Sequence, residues 1–290
     1  MNKTNQISRI KPGLLNLNNP IYDILANNPP QWWLNAKEDP ELYIEVRKNN
    51  EIMIYYKGGR VAGIKYNSKT KTLSTTAHPK YLGLLDKTDT KYYRKDSKHT
   101  PIYQPCEEWL ENKMVELKKN IVENYSGNEE GEDTSEKFIQ GSLILNGRKR
   151  YIDSEFAHRF RDGEKHTIRI DLVRIEDGRI VFEELKRIGD NRMRTTDSKP
   201  EILTQMQNYR DFLSVNSLAL AEYYKELYRI KLKLELPIPY VEKVDLLVVD
   251  KEPQLIIANN YDHLSEARIE RIRDIESILQ SKNIVYSFIR

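Results

Sequence analysis

The sequence predicts an α/β protein of two domains, a small N-terminal β-rich module at residues 1–125 and a larger layered α/β domain at 137–290. Three observations predict this division. Short strand-like runs with turn signals fill the first part, and a polar, acidic, glycine-bearing segment at 126–136 is typical of a linker. After it, strand-like runs alternate with helical spacings. At ~100–200 residues per domain, a chain of 290 residues is long enough for two modest domains.

In the N-terminal module, the run from Leu42 to His78 is typical of a meander of short antiparallel strands, because turn residues interrupt it three times. Trp32 and Trp33 precede the meander in an aromatic block that we expect to pack on the sheet. Apolar side chains at helical spacing then predict a helix at 104–124. Two roles stay open for this module: recognition of a substrate or partner, and bracing of the larger domain.

In the C-terminal domain, strands and helices are predicted to alternate along the chain, which favours layers of helices on a sheet. The predicted strands lie at Ser142–Leu145, in two runs between 168 and 186, at Val241–Asp250 and at Ile284–Phe288. The predicted helices lie at 200–236, as one helix or a pair, and at 264–281.

The composition excludes several classes of protein. The apolar runs are far shorter than the ~20 residues of a membrane span, and the first residues do not resemble a signal peptide. The chain has one cysteine, Cys106, which excludes an internal disulfide and a cysteine-based zinc cluster. We therefore expect a cytoplasmic protein. The net charge of +3 permits nucleic-acid binding without indicating it, so any phosphate-binding surface must come from local clusters.

The most informative segment is residues 168–186, IRIDLVRIEDGRIVFEELK. An Asp-Gly step at 177–178 between two apolar runs predicts a β-hairpin. Side chains alternate faces along a strand, so Glu184 and Lys186 share one face, and antiparallel pairing can bring Asp171 beside them. Two carboxylates and an ammonium in one place suit metal-assisted phosphodiester hydrolysis. The alternative is an exposed hairpin with ordinary cross-strand ion pairs.

The next segment, 200–213, is predicted to open a helix, because Pro200 suits a first helical turn and apolar residues recur at helical spacing. Gln205 and Tyr209 are four residues apart, and therefore lie on neighbouring parts of one face. An amide and a phenol there can orient a metal-bound water or contact a phosphate. The alternative is that Gln205 borders the apolar stripe and that Tyr209 belongs to the core.

Together, Asp171, the run Glu184-Leu185-Lys186 and the pair Gln205-x-x-x-Tyr209 resemble the PD-(D/E)xK nuclease superfamily, the restriction-endonuclease-like fold, and in particular its RecB-like branch. The resemblance covers roughly residues 140–290 and departs from the family pattern at Ile170, which stands where the motif has proline. It implies a mixed sheet flanked by helices. It also implies Mg²⁺- or Mn²⁺-dependent cleavage of nucleic acid, with DNA favoured over RNA and a role in restriction or phage defence.

The resemblance also implies a role for each residue. The metal ligands would be Glu155, with Asp153 in reserve, together with Asp171, Glu184 and the backbone carbonyl of Leu185. Lys186 would position the attacking water. Gln205 and Tyr209 would hold the water or the phosphate.

Basic clusters are candidates for nucleic-acid binding. They are Arg148, Lys149 and Arg150, and, beside the proposed site, Arg187, Arg192 and Arg194. In the N-terminal module, Tyr56, Lys57 and Arg60 are further candidates, with the tyrosine stacking on bases. For each set the alternative is a solvated charged face or ordinary sheet packing.

A second function of a different class stays open, a non-catalytic nucleic-acid-binding or scaffold module that keeps the nuclease fold. The presence of all five polar positions favours the enzyme. The chain has no GxxxxGK[ST] motif for nucleotide binding, so a partner protein that supplies targeting, or a homo-oligomer, is compatible with this prediction.

Overall fold

The computed structural model describes residues 7–84, 104–125, 135–160, 167–194, 200–259 and 265–289. It has the predicted α/β class, with two sheets and helices against them. The chain divides into two compact units. One, the hairpin unit, comprises 1–13, 148–228 and 238–290, and the other, the meander unit, comprises 14–147 and 229–237. Of the predicted linker 126–136, residues 126–134 lie outside the described residues. Among the described residues, no helix is long and apolar enough to cross a membrane.

The meander unit contains an antiparallel five-stranded sheet in the order β1-β2-β3-β4-β5, which confirms the predicted meander. Trp33 is fully buried in the second helix and Trp32 nearly so. The helix predicted at 104–124 is two helices preceded by a short strand. The elements are α1 (Pro20–Asn27), α2 (Gln31–Glu38), β1 (Leu42–Arg47), β2 (Glu51–Tyr56), β3 (Gly59–Asn67), β4 (Thr72–Ala77), β5 (Gln104–Pro105), α3 (Glu107–Asn112), α4 (Met114–Tyr125) and α5 (Glu136–Asn146).

The prediction of a strand at Ser142–Leu145 is wrong, because these residues belong to α5. The Ser135 side chain caps this helix by accepting a hydrogen bond from the backbone N–H of Phe138. The buried positions Gln140, Gly141 and Ile144 have the spacing of one helix face. A four-residue apolar run cannot by itself distinguish a strand from one turn of a buried helix. The Ser135 cap favours the helix at this position.

The hairpin unit contains a mixed sheet in the order β11-β10-β8-β7-β6, with a short strand, β9, also paired to β8. The strands β6, β7 and β8 are antiparallel to one another, whereas β9 and β10 run parallel to β8. The elements are β6 (Tyr151–Arg159), β7 (Thr167–Glu176), β8 (Arg179–Arg187), α6 (Glu201–Lys233), β9 (Val248–Val249), β10 (Gln254–Ala258), α7 (Glu266–Ser281) and β11 (Val285–Ile289). The predicted helices after 200 and 264 and the final strand are confirmed.

The prediction of one buried strand at Val241–Asp250 is wrong. A single 3-10 turn at Val244–Leu246 leads to the two-residue strand β9, and both Leu246 and Val248 are exposed. The parallel neighbour of the site-bearing part of β8 is instead β10, whose last four residues are buried. The two apolar runs look alike in sequence, and burial by neighbouring elements decides between them.

The predicted hairpin is confirmed. Strands β7 and β8 pair with Leu172 opposite Glu183, and Asp177 and Gly178 connect them with φ of 48° and 74°. Two successive left-handed residues form the turn type whose twist matches that of the strands, and Asp-Gly is favoured there. The register ends at this pair, and Asp171 and Glu184 are the next residues on the two strands.

Candidate functional site

Strand β8 lies in the middle of its sheet, and all of its residues from Ile180 to Lys186 are buried. Glu184 and Lys186 are each only 2% exposed. Burying a charged side chain is costly unless it is paired and hydrogen-bonded. Glu184 and Lys186 are therefore stable in the interior only if neighbouring groups pair with them and form hydrogen bonds to them.

The structure brings Asp171, Glu184 and Lys186 together. The Lys186 ammonium lies 2.6 Å from Glu184 Oε1 and 3.8 Å from Asp171 Oδ2. It also donates to the carbonyl oxygen of Leu185 at 2.7 Å. Asp171 Oδ2 accepts a hydrogen bond of 2.9 Å from the Leu185 backbone N–H. One carboxylate is thus held by the adjacent strand, and three oxygen-bearing groups surround a single positive charge.

Helix α6 adds Gln205 and Tyr209 to this cluster. The Gln205 amide nitrogen donates to Glu184 Oε1 at 2.5 Å and to the Tyr209 hydroxyl at 2.7 Å. The Tyr209 hydroxyl lies 3.0 Å from Glu184 Oε2 and also contacts the backbone carbonyl of Arg169. Both side chains therefore reach the hairpin directly, as their shared helix face predicts, and Tyr209 is buried as well.

Burial and, after it, the neighbouring Glu184 charge raise the pKa of Asp171 to about 8, against the opposing effects of Lys186 and the Leu185 N–H. Burial, followed by the Glu184 charge, also raises the pKa of Tyr209 well above its usual range. Tyr209 is therefore a neutral hydrogen-bond donor at physiological pH. A cation that approached Asp171 would favour its ionised form.

The oxygen atoms of this cluster suit a divalent cation such as Mg²⁺. Asp171 Oδ2, Glu184 Oε1 and the Leu185 carbonyl oxygen already converge on the Lys186 ammonium, which shows that they can share one positive charge. Throughout the described part of the chain, no three His, Cys, Asp or Glu side chains gather closely enough to hold a metal ion. Two carboxylates with water and substrate oxygens are nevertheless a usual Mg²⁺ environment.

The upstream acids occupy an irregular part of β6. Asp153 accepts a hydrogen bond of 3.1 Å from the Tyr224 hydroxyl, and the ring of Phe156 also packs against Tyr224. In a regular strand, residues three apart face opposite sides of the sheet. Asp153 and Phe156 both contact Tyr224, so the alternation of side chains is interrupted between them. Glu155 lies at this break with a left-handed φ of 49°, between Ser154 and Phe156, which pair with the two neighbours of Asp171. Such strained residues concentrate at functional sites. Glu155 does not complete a three-carboxylate cluster, and its role as a ligand stays a prediction.

An open cleft of about 370 Å³ lies against the α6 side of the cluster. Gln205 and Tyr209 form part of its wall, so they stand between the cleft and Glu184. The full lining is Phe160, Thr167, Ile168, Arg192, Glu201, Thr204, Gln205, Asn208 and Tyr209. Sequence reasoning missed Glu201 and Asn208, although they lie four residues before and three after Gln205, where a helix places side chains on one face. No local sequence pattern indicates that Phe160 and Thr167 line a cleft.

The predicted basic residues do not form one surface. Arg192 lies at the cleft, where its guanidinium is 3.4 Å from Gln205 Oε1. Arg150 instead approaches Glu183, whose side chain is on the opposite face of β8 from Glu184. The cluster at 148–150 is therefore not brought to the cleft through Arg150. Arg187 and Arg194 are exposed.

In the meander unit, the expectation of an exposed Tyr56 is wrong. The Tyr56 side chain is buried, with the ammonium groups of Lys57 and Lys118 over its ring. A buried ring cannot stack on a nucleic-acid base, so Tyr56 is not available for the stacking role that the sequence suggested.

No protein-family model matches the chain, and neither a curated protein nor a solved structure matches it. The resemblance to the nuclease superfamily therefore depends on the site residues and their order along the chain.

Proposed function

We propose that the protein is a metal-dependent nuclease of the PD-(D/E)xK type, with a restriction-endonuclease-like hairpin unit. The supporting observation is a single hydrogen-bonded cluster in which Asp171, Glu184 and Lys186 from β7 and β8 meet Gln205 and Tyr209 from α6. These five residues are the ones that the sequence motif singles out, and they come from three separate elements.

In this proposal, Asp171, Glu184 and the Leu185 carbonyl hold a Mg²⁺ or Mn²⁺ ion, with Glu155 the candidate for a further ligand. When bound, the ion would activate a water molecule and offset negative charge on the phosphate. Lys186 would orient the attacking water and stabilise charge that develops in the transition state. Tyr209 and Gln205, which hold both Glu184 oxygens, would fix the orientation of that carboxylate.

The substrate is proposed to be nucleic acid, with DNA favoured, in a setting such as restriction or phage defence. Arg192 is the best-placed phosphate ligand because it lines the cleft beside Gln205. Arginine suits this role through its planar fork of donors, which binds phosphate oxygens in pairs. Arg187 and Arg194, also exposed, are candidates for contacts further along the strand.

The non-catalytic alternative is favoured by one observation, the near-complete burial of Glu184 and Lys186, which leaves Gln205 and Tyr209 as the wall that a ligand meets. Binding and cleavage separate the two functions. A scaffold would bind nucleic acid without a divalent ion and would leave it intact.

The test is incubation of the purified protein with plasmid, single-stranded DNA and RNA, each with Mg²⁺, Mn²⁺ or EDTA. We expect cleavage of at least one substrate with a divalent ion and none with EDTA. The matched control is Asp171→Asn, which keeps the size and a hydrogen-bond acceptor. Equal cleavage by this variant, or no cleavage under any condition, would reject the proposal.

A further inference from the structure

We propose that Lys186 is a built-in counter-cation of the ion site, which a divalent metal displaces when it binds. This inference builds on the proposed function because it assumes that Asp171 and Glu184 hold a metal. It adds a second state for the lysine, in which its charge fills the site of the metal-free protein.

The Lys186 ammonium contacts the same three oxygen-bearing groups that are proposed to bind the ion, at 2.6 Å for Glu184, 2.7 Å for the Leu185 carbonyl and 3.8 Å for Asp171. Mg²⁺ binds oxygen at about 2.0–2.1 Å. Two cations on the same set of oxygens would lie too close together to be stable. Lys186 must therefore give up at least part of this set when the ion enters.

Glu184 and Lys186 are almost wholly buried, and a buried Glu184 carboxylate without a cation beside it would be unstable in a medium that screens charge poorly. The lysine therefore stabilises the metal-free protein, and an entering ion has to replace its contacts. The same event frees the ammonium for a role towards water or phosphate, so that Lys186 is available only in the loaded site.

The first experiment is reductive methylation of the metal-free and Mn²⁺-loaded protein, with peptide mass spectrometry. We expect Mn²⁺ to increase the labelling of Lys186 several-fold. Lys231 is the internal control, since it forms a similarly buried ion pair with Glu45 at 2.7 Å in the meander unit, and its labelling should not change. Unchanged labelling of Lys186 at saturating Mn²⁺ would overturn the inference.

The second experiment is calorimetric titration of Mn²⁺ into Lys186→Gln and Lys231→Gln. We expect Lys186→Gln to bind Mn²⁺ on the order of tenfold more tightly than the wild type, since the ion no longer replaces a charge-assisted hydrogen bond. Lys231→Gln also loses a buried ion pair but should keep the wild-type affinity. Equal or weaker binding by Lys186→Gln would overturn the inference.

The outcomes distinguish this inference from the proposed function. Binding of Mn²⁺ that depends on Asp171, without any change at Lys186, rejects the counter-cation and leaves the nuclease standing. Displacement of Lys186 without cleavage of any nucleic acid supports the counter-cation and rejects the nuclease. A wild-type protein that binds no Mn²⁺ rejects both.

Discussion

At the scale of the residue, the hairpin unit concentrates buried charge where its core would otherwise be apolar. Glu184 and Lys186 follow a run of buried apolar residues on β8, and each is sustained by specific partners: the lysine by two oxygens and the glutamate by Gln205 and Tyr209. Structural ion pairs in proteins are mostly at the surface, where they contribute little. A buried, hydrogen-bonded cluster of charges is a costly arrangement, and the proposed function gives a reason for it.

Asp171→Ala and Glu184→Ala are each expected to abolish metal-dependent cleavage, because each removes a carboxylate from the ion. The metal-free stability should hold or rise slightly for Asp171→Ala, because one of two neighbouring acids is gone. It should fall for Glu184→Ala, because the buried Lys186 ammonium loses the carboxylate nearest to it. Cleavage assays and thermal unfolding with EDTA check both expectations. Wild-type cleavage by either variant would show that the site is wrongly assigned.

Asp171 should also make the stability of the metal-free protein depend on pH. The pKa of Asp171 is about 8 in the folded protein, against 3.8 for an ordinary aspartate. The folded state therefore holds a proton that the unfolded state has lost, and stability falls as pH rises between these two values. Asp171→Asn removes this pH-dependent loss of stability, because asparagine does not ionise.

We accordingly expect Asp171→Asn to gain stability relative to the wild type as pH is raised towards 9, and to lose that advantage towards pH 4. Denaturant unfolding across this range in EDTA measures the difference. A constant difference at all pH values would show that Asp171 is ionised in the folded protein throughout.

At the scale of the element, the site depends on how α6 crosses the hairpin. The i, i+4 spacing of Gln205 and Tyr209 predicts that both face the same way, and both contact Glu184. Helix spacing states which residues share a face but not what that face meets. The packing of α6 on the mixed sheet is what brings this face against Glu184.

Gln205→Leu and Tyr209→Phe are expected to lower the cleavage rate while the protein stays folded. Each removes hydrogen bonds to Glu184 with little change in volume, so the orientation of the carboxylate suffers more than the packing. Steady-state rates together with circular dichroism make the test. The matched control is Gln207→Leu on the same helix. Gln207 is exposed, and its amide bonds to Asp211 and Arg210 instead of the cluster, so this variant should keep the wild-type rate.

At the scale of the whole molecule, each compact unit is assembled from distant parts of the chain. In the hairpin unit, the buried Asn216 amide holds the N-terminal segment, with its oxygen 2.8 Å from the backbone N–H of Ile10 and its nitrogen 3.1 Å from the Ser8 carbonyl. In the meander unit, Lys231 pairs with the buried Glu45, 186 residues away. A cut in the predicted linker would therefore separate residues that belong to one core.

Glu45→Met is expected to destabilise the full protein more than residues 14–147 alone. In the full protein it leaves Lys231 buried without its carboxylate, and removing one partner of a buried pair costs about 3–5 kcal/mol. In residues 14–147, Lys231 is missing, so the substitution leaves no buried ammonium behind and the loss of stability should be smaller. Thermal unfolding of the four chains measures the difference, and an equal loss in both would contradict the proposed role of the pair.

Features of this protein that depend on local chemistry could be predicted from its amino-acid sequence. These are the Asp-Gly hairpin, the long helix after Pro200, and the choice of Asp171, Glu184, Lys186, Gln205 and Tyr209. Alternation in strands and spacing in helices are short-range rules, and they hold wherever the backbone is regular.

Features that depend on which surfaces meet became known from the three-dimensional structure. It showed that β10 and not 241–250 lies beside the site-bearing part of β8, that Arg150 and Glu184 lie on opposite sides of the sheet, and that Tyr56 is buried. It also placed the Lys186 ammonium on the oxygens that the motif assigns to a metal. Burial, register and the partner of a charge arise from contacts between segments far apart in the chain, and no local pattern specifies them.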